Sequence, residues 1–240
     1  MALTKEDFLT RLTAAVQDAA EDLEPDDLYR FLDQAILLFS KDRPNKKAAE
    51  ITGDGSTYEW TLVSIAADWV EDFSFINGEI EYPADDYQYP QYVDRNSWMH
   101  IRKTDALYFR FTSFIPANGK KARFEYAVPH AVTDSANSVK DGDSEAVINL
   151  SAALCFWALA AKYAQSTDPT MDADVVDHQR KAELYTELAK EKSAMYNALL
   201  GITSDAKSRA TALAGVAIKD MDIMYPGSLG DFLTHPASTR

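Results

Sequence analysis

The 240-residue chain carries a formal net charge of −14, which argues against a surface built to grip phosphate, because that affinity comes mainly from clustered lysine and arginine. A hydrophobic fraction of 46% is enough for the core of one large domain or two small ones, and a single cysteine, Cys155, excludes an intrachain disulfide and suits a reducing compartment. The opening MALTKEDF has no basic stretch followed by an apolar run, so no secretory leader is expected, and the longest apolar run, Ala152 to Ala161, is about half of the ~20 residues a membrane span needs.

Thr4 is placed to cap a helix predicted over 4–20, with Phe8, Leu12, Ala15, Val16 and Ala19 on one side. Pro25, a favourable first-turn residue, opens a second helix over 25–41 that turns Leu28, Phe31, Leu32, Ile36 and Phe39 inward before Pro44 stops it.

The periodicity then changes to two, and a β-rich insertion is expected over 47–130. Tyr58, Trp60 and Leu62 alternate with polar residues after a Gly53-Asp54-Gly55 hairpin turn. Asn77-Gly78, between Phe73, Phe75 and Ile80, Tyr82, is a second turn signal. Leu107, Phe109 and Phe111 are expected to face Phe124, Tyr126 and Val128 as an antiparallel pair across the turn at Pro116 to Gly119. Between these lies a proline-interrupted loop, Tyr82 to Trp98, carrying Tyr87, Tyr89 and Tyr92.

Two long helices follow, predicted over 144–165 and 171–200. In the first, Val147, Leu150, Leu154, Trp157, Ala158 and Ala161 share a face, while Ile148, Phe156, Leu159 and Tyr163 lie outside that stripe and are candidates for a subunit interface. Ser166 to Pro169 break the helix, and so short a link makes the pair antiparallel. Val175, Ala182, Tyr185, Leu188, Ala189, Met195 and Leu199 mark the apolar side of the second, which Gly201 ends. The reading is therefore α+β and predominantly helical: N-terminal helices, a β-rich insertion, a long C-terminal helical hairpin completing a domain over 1–201, and an arm over 202–240.

The run AAKYAQSTDPTMDADVVDHQRKAELY and the helix ending YNALLG resemble the C-terminal half of the head-tail connector, or adaptor, proteins of tailed bacteriophages. FSFINGEIEYP at Phe73 to Pro83, LYFRF at Leu107 to Phe111 and ARFEYAVPH at Ala122 to His130 fit the same family, so the likeness runs in order over Leu28 to Gly201. It implies a virion protein of the neck, assembled in the host cytoplasm, that forms a homo-oligomeric ring, commonly dodecameric. That ring docks to the portal protein, extends a channel through which double-stranded DNA passes without tight binding, and offers a surface to a tail or neck protein. No membrane partner is implied. An acidic channel wall that repels phosphate fits the net charge, and acidity that only keeps the protein soluble fits it equally well. The arm would anchor on the portal through Met224, Tyr225, Leu229, Phe232 and Leu233, the apolar cluster of an otherwise polar tail; the alternative is a tail packed on its own domain.

Catalytic signatures are sparse. There is no phosphate-cradling glycine loop, CxxC pair, HExxH or GxSxG, so no enzyme, cofactor or metal is expected. Two other classes have some basis in the residues. Asp172, Asp174, Asp177 and His178 would carry a metal-dependent hydrolase, with Asp174 and His178 one helical turn apart, although acids are also ordinary in a helix's first turn. Tyr87, Tyr89 and Trp98 would carry a glycan-binding module by ring stacking, although core packing uses the same residues. Asp141-Gly142-Asp143 lacks the later ligands of a calcium loop, and His100, His130 and His235 have no spaced partner.

Overall fold

A computed structural model describes residues 3–84, 86, 89–104, 106–165 and 178–202. The chain forms two compact units, Met1–Ser151 and Ala152–Arg240. The architecture is α+β, with five α-helices and seven strands in antiparallel sheets among the described residues; the short α3 (Leu62–Ile65) takes Leu62 out of the strand alternation expected for it.

In the first unit, α1 (Lys5–Val16) begins with a capping box: the Asp7 amide donates to the Thr4 hydroxyl at 3.2 Å and the Thr4 amide donates to the Asp7 carboxylate at 2.8 Å. The helix stops earlier than periodicity predicts because Gln17 takes φ 54°, and Gln17–Asp22 continue as a 3₁₀ turn that still buries Ala19. α2 (Pro25–Asp42) has Pro25 in its first turn and buries Leu32, Ala35, Ile36 and Phe39. Lys5 of α1 pairs with Asp33 of α2 at 2.7 Å.

The β-rich part is two sheets packed face to face. One has the order β1 (Asn45–Thr52), β7 (Lys121–Val128), β3 (Phe75–Glu81), β4 (Tyr92–Val93); the other runs β2 (Glu59–Thr61), β6 (Leu107–Phe111), β5 (Trp98–Arg102). Alternation decides which residues meet between them: Phe109 and Phe111 from β6 point inward, as do Ala122, Phe124 and Tyr126 from β7. Phe109 stacks on Phe124 at 5.5 Å with an 8° interplanar angle, and Trp98 stacks on Phe109 at 5.7 Å. On the opposite face of β7, Arg123 bridges both neighbouring strands, reaching Glu50 at 2.7 Å and Glu81 at 3.5 Å. β1 is an edge strand with Lys46, Lys47 and Ala48 exposed.

Three turn expectations resolve differently. β6 and β7 do not pair as a hairpin: their inward residues do face each other, but across the sandwich, since β6 bonds to β2 and β5 while β7 bonds to β1 and β3. Asn77-Gly78 is no hairpin turn either; it lies inside β3, where the register jumps between Asn77 and Ile80, and Gly78 at φ 84° supplies a bulge. Gly53 to Gly55 do not join paired strands but carry the chain from the first sheet to the second.

That crossing packs on the reverse crossing between β6 and β7. Gly53 donates to the Lys120 carbonyl at 2.8 Å, Gly119 donates to the Gly53 carbonyl at 2.9 Å and Gly55 donates to the Pro116 carbonyl at 3.1 Å. The backbones are so close that a Cβ on Gly53 would lie 2.5 Å from the Ala117 carbonyl oxygen and 2.6 Å from that of Pro116. Neither atom is the end of a flexible side chain, so the turns themselves would have to part. Gly53→Ala is therefore expected to destabilise the protein by about 1–3 kcal/mol, the usual range for overpacking, read as a lowered denaturation midpoint in urea. An unchanged midpoint would show that the crossings separate freely.

Candidate assembly interface

The second unit contains most of α4 (Ser144–Gln165) and all of α5 (His178–Leu200). Three aromatic side chains tie the two helices: Tyr185 of α5 stacks on Phe156 of α4 at 6.0 Å and on Tyr163 of α4 at 5.6 Å. Lys181 lies over the Tyr163 ring at 5.1 Å. Such ring pairs contribute about 0.5–1.5 kcal/mol each beyond the area they bury. Beside this ladder runs a groove of about 790 Å³, with Trp157, Ala160, Ala161 and Ala164 from α4 along one side and Ala182, Glu183, Thr186, Glu187 and Lys190 from α5 along the other. Four large apolar side chains remain open on the hairpin: Trp157 at 43% exposure, Leu184 at 53%, Met195 at 41% and Leu199 at 51%.

The faces of α4 divide differently from the two stripes read in the sequence. Ile148, Phe156 and Leu159, candidates for a subunit interface, are buried within the chain; of the other stripe Val147 is buried, Leu150, Leu154 and Ala158 are half-buried, and Trp157 and Ala161 are exposed. The cause is composition: a helix apolar all round offers two stripes at three- and four-residue spacing, and periodicity does not choose between them. Tyr163 is half-buried in the ladder. On α5, Ala189 and Tyr196 are the most buried residues, and Leu188 lies partly open.

The other sequence candidates fall as follows. Asp172, Asp174 and Asp177 lie outside the described residues, as does the His178 side chain; among the described residues no group of three or more His, Cys, Asp or Glu is arranged to hold a metal ion. The arm residues Met224, Tyr225, Leu229, Phe232 and Leu233 are also outside them, together with Tyr87 and His235. Trp98 is a core residue and so has no ring face open to a sugar, whereas Tyr89 is 72% exposed. Asp143 pairs with Arg43, which gives the Asp141–Asp143 turn a structural task. Among the described residues, Asp141–Gln165 is long and apolar enough to cross a membrane by length and composition, at mean hydropathy 1.5; counting only consecutive apolar residues missed this, and 67% of that window is buried inside the protein.

Two polar clusters in the first unit join residues too far apart in sequence to be associated by motif. Asp68 accepts from the Tyr126 hydroxyl at 2.5 Å and pairs with Lys47; burial, then the Asp68 carboxylate, push the Tyr126 phenol up to about 12. The His130 ring packs on Phe39 at 5.0 Å, with Nε2 2.9 Å from the Arg43 carbonyl and Nδ1 3.1 Å from the Ser138 hydroxyl. Ser40 is buried and donates to the Ile36 carbonyl at 2.6 Å while accepting from the His130 amide at 2.8 Å. Burial holds the imidazole below its ordinary pKa, although its bonds to Arg43 and Ser138 and the nearby Asp143 act the other way.

No protein-family model and no curated protein matches the chain. Among solved structures, a chain from the neck of an empty GTA particle computed with C6 symmetry aligns at 12% identity, over 68% of this chain and 79% of that one, with a TM-score of 0.26. Another, from the neck of a native GTA particle computed with C12 symmetry, aligns at 13% identity over 77% and 92%, with a TM-score of 0.24. At those TM-scores a shared fold does not follow from the superposition.

The His130 environment sets a pH dependence. Its folded-state pKa is depressed, so the unfolded chain binds the proton first, and stability present above the ordinary histidine pKa is lost as the pH falls through that range toward the folded value. The melting temperature should fall between about pH 7.5 and about pH 5, and His130→Gln should flatten part of that fall. Parallel melting curves for the two proteins would place the pH dependence elsewhere.

Proposed function

We propose that the chain is a structural subunit of the neck of a tailed phage: it assembles as a ring of identical copies between capsid and tail, docks to the portal, continues the DNA channel and presents a surface to a tail or neck protein. The observation that carries this reading is the hairpin surface. After α4 and α5 have stacked their own aromatics, they still expose Trp157 over a floor of alanines, with Glu183, Glu187 and Lys190 on the rim. An aromatic anchor over small residues with a charged margin is the composition of a protein contact. The ordered resemblance over Leu28 to Gly201 supplies the neck assignment, and no observation favours the hydrolase or the glycan-binding module.

A closed ring of identical copies requires two different surfaces on each subunit. The groove beside Trp157 and Tyr163 is the proposed position of one of them; Ile148, Phe156 and Leu159 are buried within the chain and are not part of it. The arm supplies the portal contact through Met224, Tyr225, Leu229, Phe232 and Leu233. No step in this role requires a cofactor or metal, and the excess of carboxylates keeps the channel wall from holding the duplex.

Negative-stain imaging of the purified protein, alone and mixed with portal, tests the ring. Trp157→Ser should abolish ring closure while leaving the helical circular dichroism unchanged, a loss of about 2 kcal/mol or more per contact at a buried tryptophan anchor. Rings that form normally in this variant would remove the groove from the interface. Deleting Met221 to Arg240 should abolish portal co-sedimentation; retained binding would reject the arm as the anchor.

A further inference from the structure

α5 carries a second apolar line that the helical hairpin does not use. Leu184, Leu188, Met195 and Leu199 recur at spacings of four, seven and four residues, which puts them on one side of the helix, apart from buried Ala189 and Tyr196. Leu184, Met195 and Leu199 are all exposed. At about 1.5 Å per residue the line is roughly 22 Å long.

A second copy of α5 is a poor occupant. Glu191 lies on the same side at the middle of the line, so two copies paired along it, parallel or antiparallel about that centre, would bring like charges together.

The chain's own continuation is better placed. The Gly201 amide donates to the Ala198 carbonyl at 3.2 Å, the Ile202 amide donates to the Asn197 carbonyl at 2.8 Å, and Gly201 has φ 69°. This is the Schellman arrangement, which turns the backbone out of the helix beside the Leu199 end of the line. Residues 203–240 follow, and their apolar side chains cluster at Met221, Ile223, Met224, Tyr225, Leu229, Phe232 and Leu233. Extended at about 3.3 Å per residue, 203–220 can span roughly 60 Å, so the cluster reaches every point of the line. Tethering also gives it an effective concentration on the order of millimolar, which an untethered protein in dilute solution does not match.

We infer that the line Leu184, Leu188, Met195 and Leu199 is the resting dock of residues 221–233 of the same chain. The segment covers the exposed leucines and methionine of α5 with its own apolar side chains. Docking in cis is independent of the neck role, and portal binding is measured separately from it.

Hydroxyl-radical footprinting of the full-length protein reads this contact through side-chain oxidation. Met195 and Leu199 should oxidise several-fold more slowly in the native sequence than in a variant carrying Leu229→Asp, Phe232→Asp and Leu233→Asp, with a ratio that does not change on dilution. Reciprocally, Leu188→Asp should raise the oxidation of Met224 several-fold. Equal Met195 rates in the two proteins would overturn the dock. Protection that fades on dilution would overturn it in favour of a second copy.

Discussion

The stacking of Phe109 on Phe124 is the contact on which the β-rich part of the molecule depends. Each sheet has one apolar face, and neither is large enough to shield that face alone; β2 has three residues and β4 has two. Closing the sheets on each other buries Phe111, Ile80, Ala122 and Tyr126 in the same layer. It also obliges the chain to cross between sheets four times, and the first and last of these crossings meet at Gly53, where only a residue without a side chain allows the backbones to hydrogen-bond. One packing requirement thus accounts for the strand order, the crossings and the glycine.

Local chemistry was legible in the sequence, and pairing was not. The Thr4 cap, Pro25 in the first turn of α2 and the inward set Phe109, Phe111, Phe124 and Tyr126 follow from spacing within a few residues. Whether β7 pairs with β6 or stacks across from it depends on strands from distant parts of the chain, and alternation is the same in both cases. Asn77-Gly78 shows the same limit: a glycine at positive φ serves a bulge as well as a hairpin turn, and its long-range partner, Glu125, decides which. For the hairpin surface the obstacle was α4, whose apolar residues encircle it. The groove became visible only once Tyr185 had selected Phe156 and Tyr163 as its partners. The His130 cluster was invisible for a third reason: Ser40, Arg43, Ser138 and His130 have no spacing that marks them as neighbours.

Three polar clusters of the first unit have structural tasks, whereas the buried Trp69 Nε1 and Asn137 Nδ2 have no hydrogen-bond partner among the described residues. Asp68 is satisfied by Lys47 and Tyr126, Glu59 by Arg110 and Lys103 on the outer face of the smaller sheet, and His130 by a carbonyl and a hydroxyl. Each group fixes a junction between segments. The surface is different in kind: it leaves apolar side chains of α4 and α5 in water.

The lysines of β1 bear on how many copies could coexist in a crowded cell without clumping. An eight-residue strand at the margin of a sheet is a template onto which a foreign strand can zip, and repetition of that step makes fibres. Lys46 and Lys47 are exposed charges on this strand, and an added strand would have to strip solvent from them. Polymerisation through the sheet is thereby opposed.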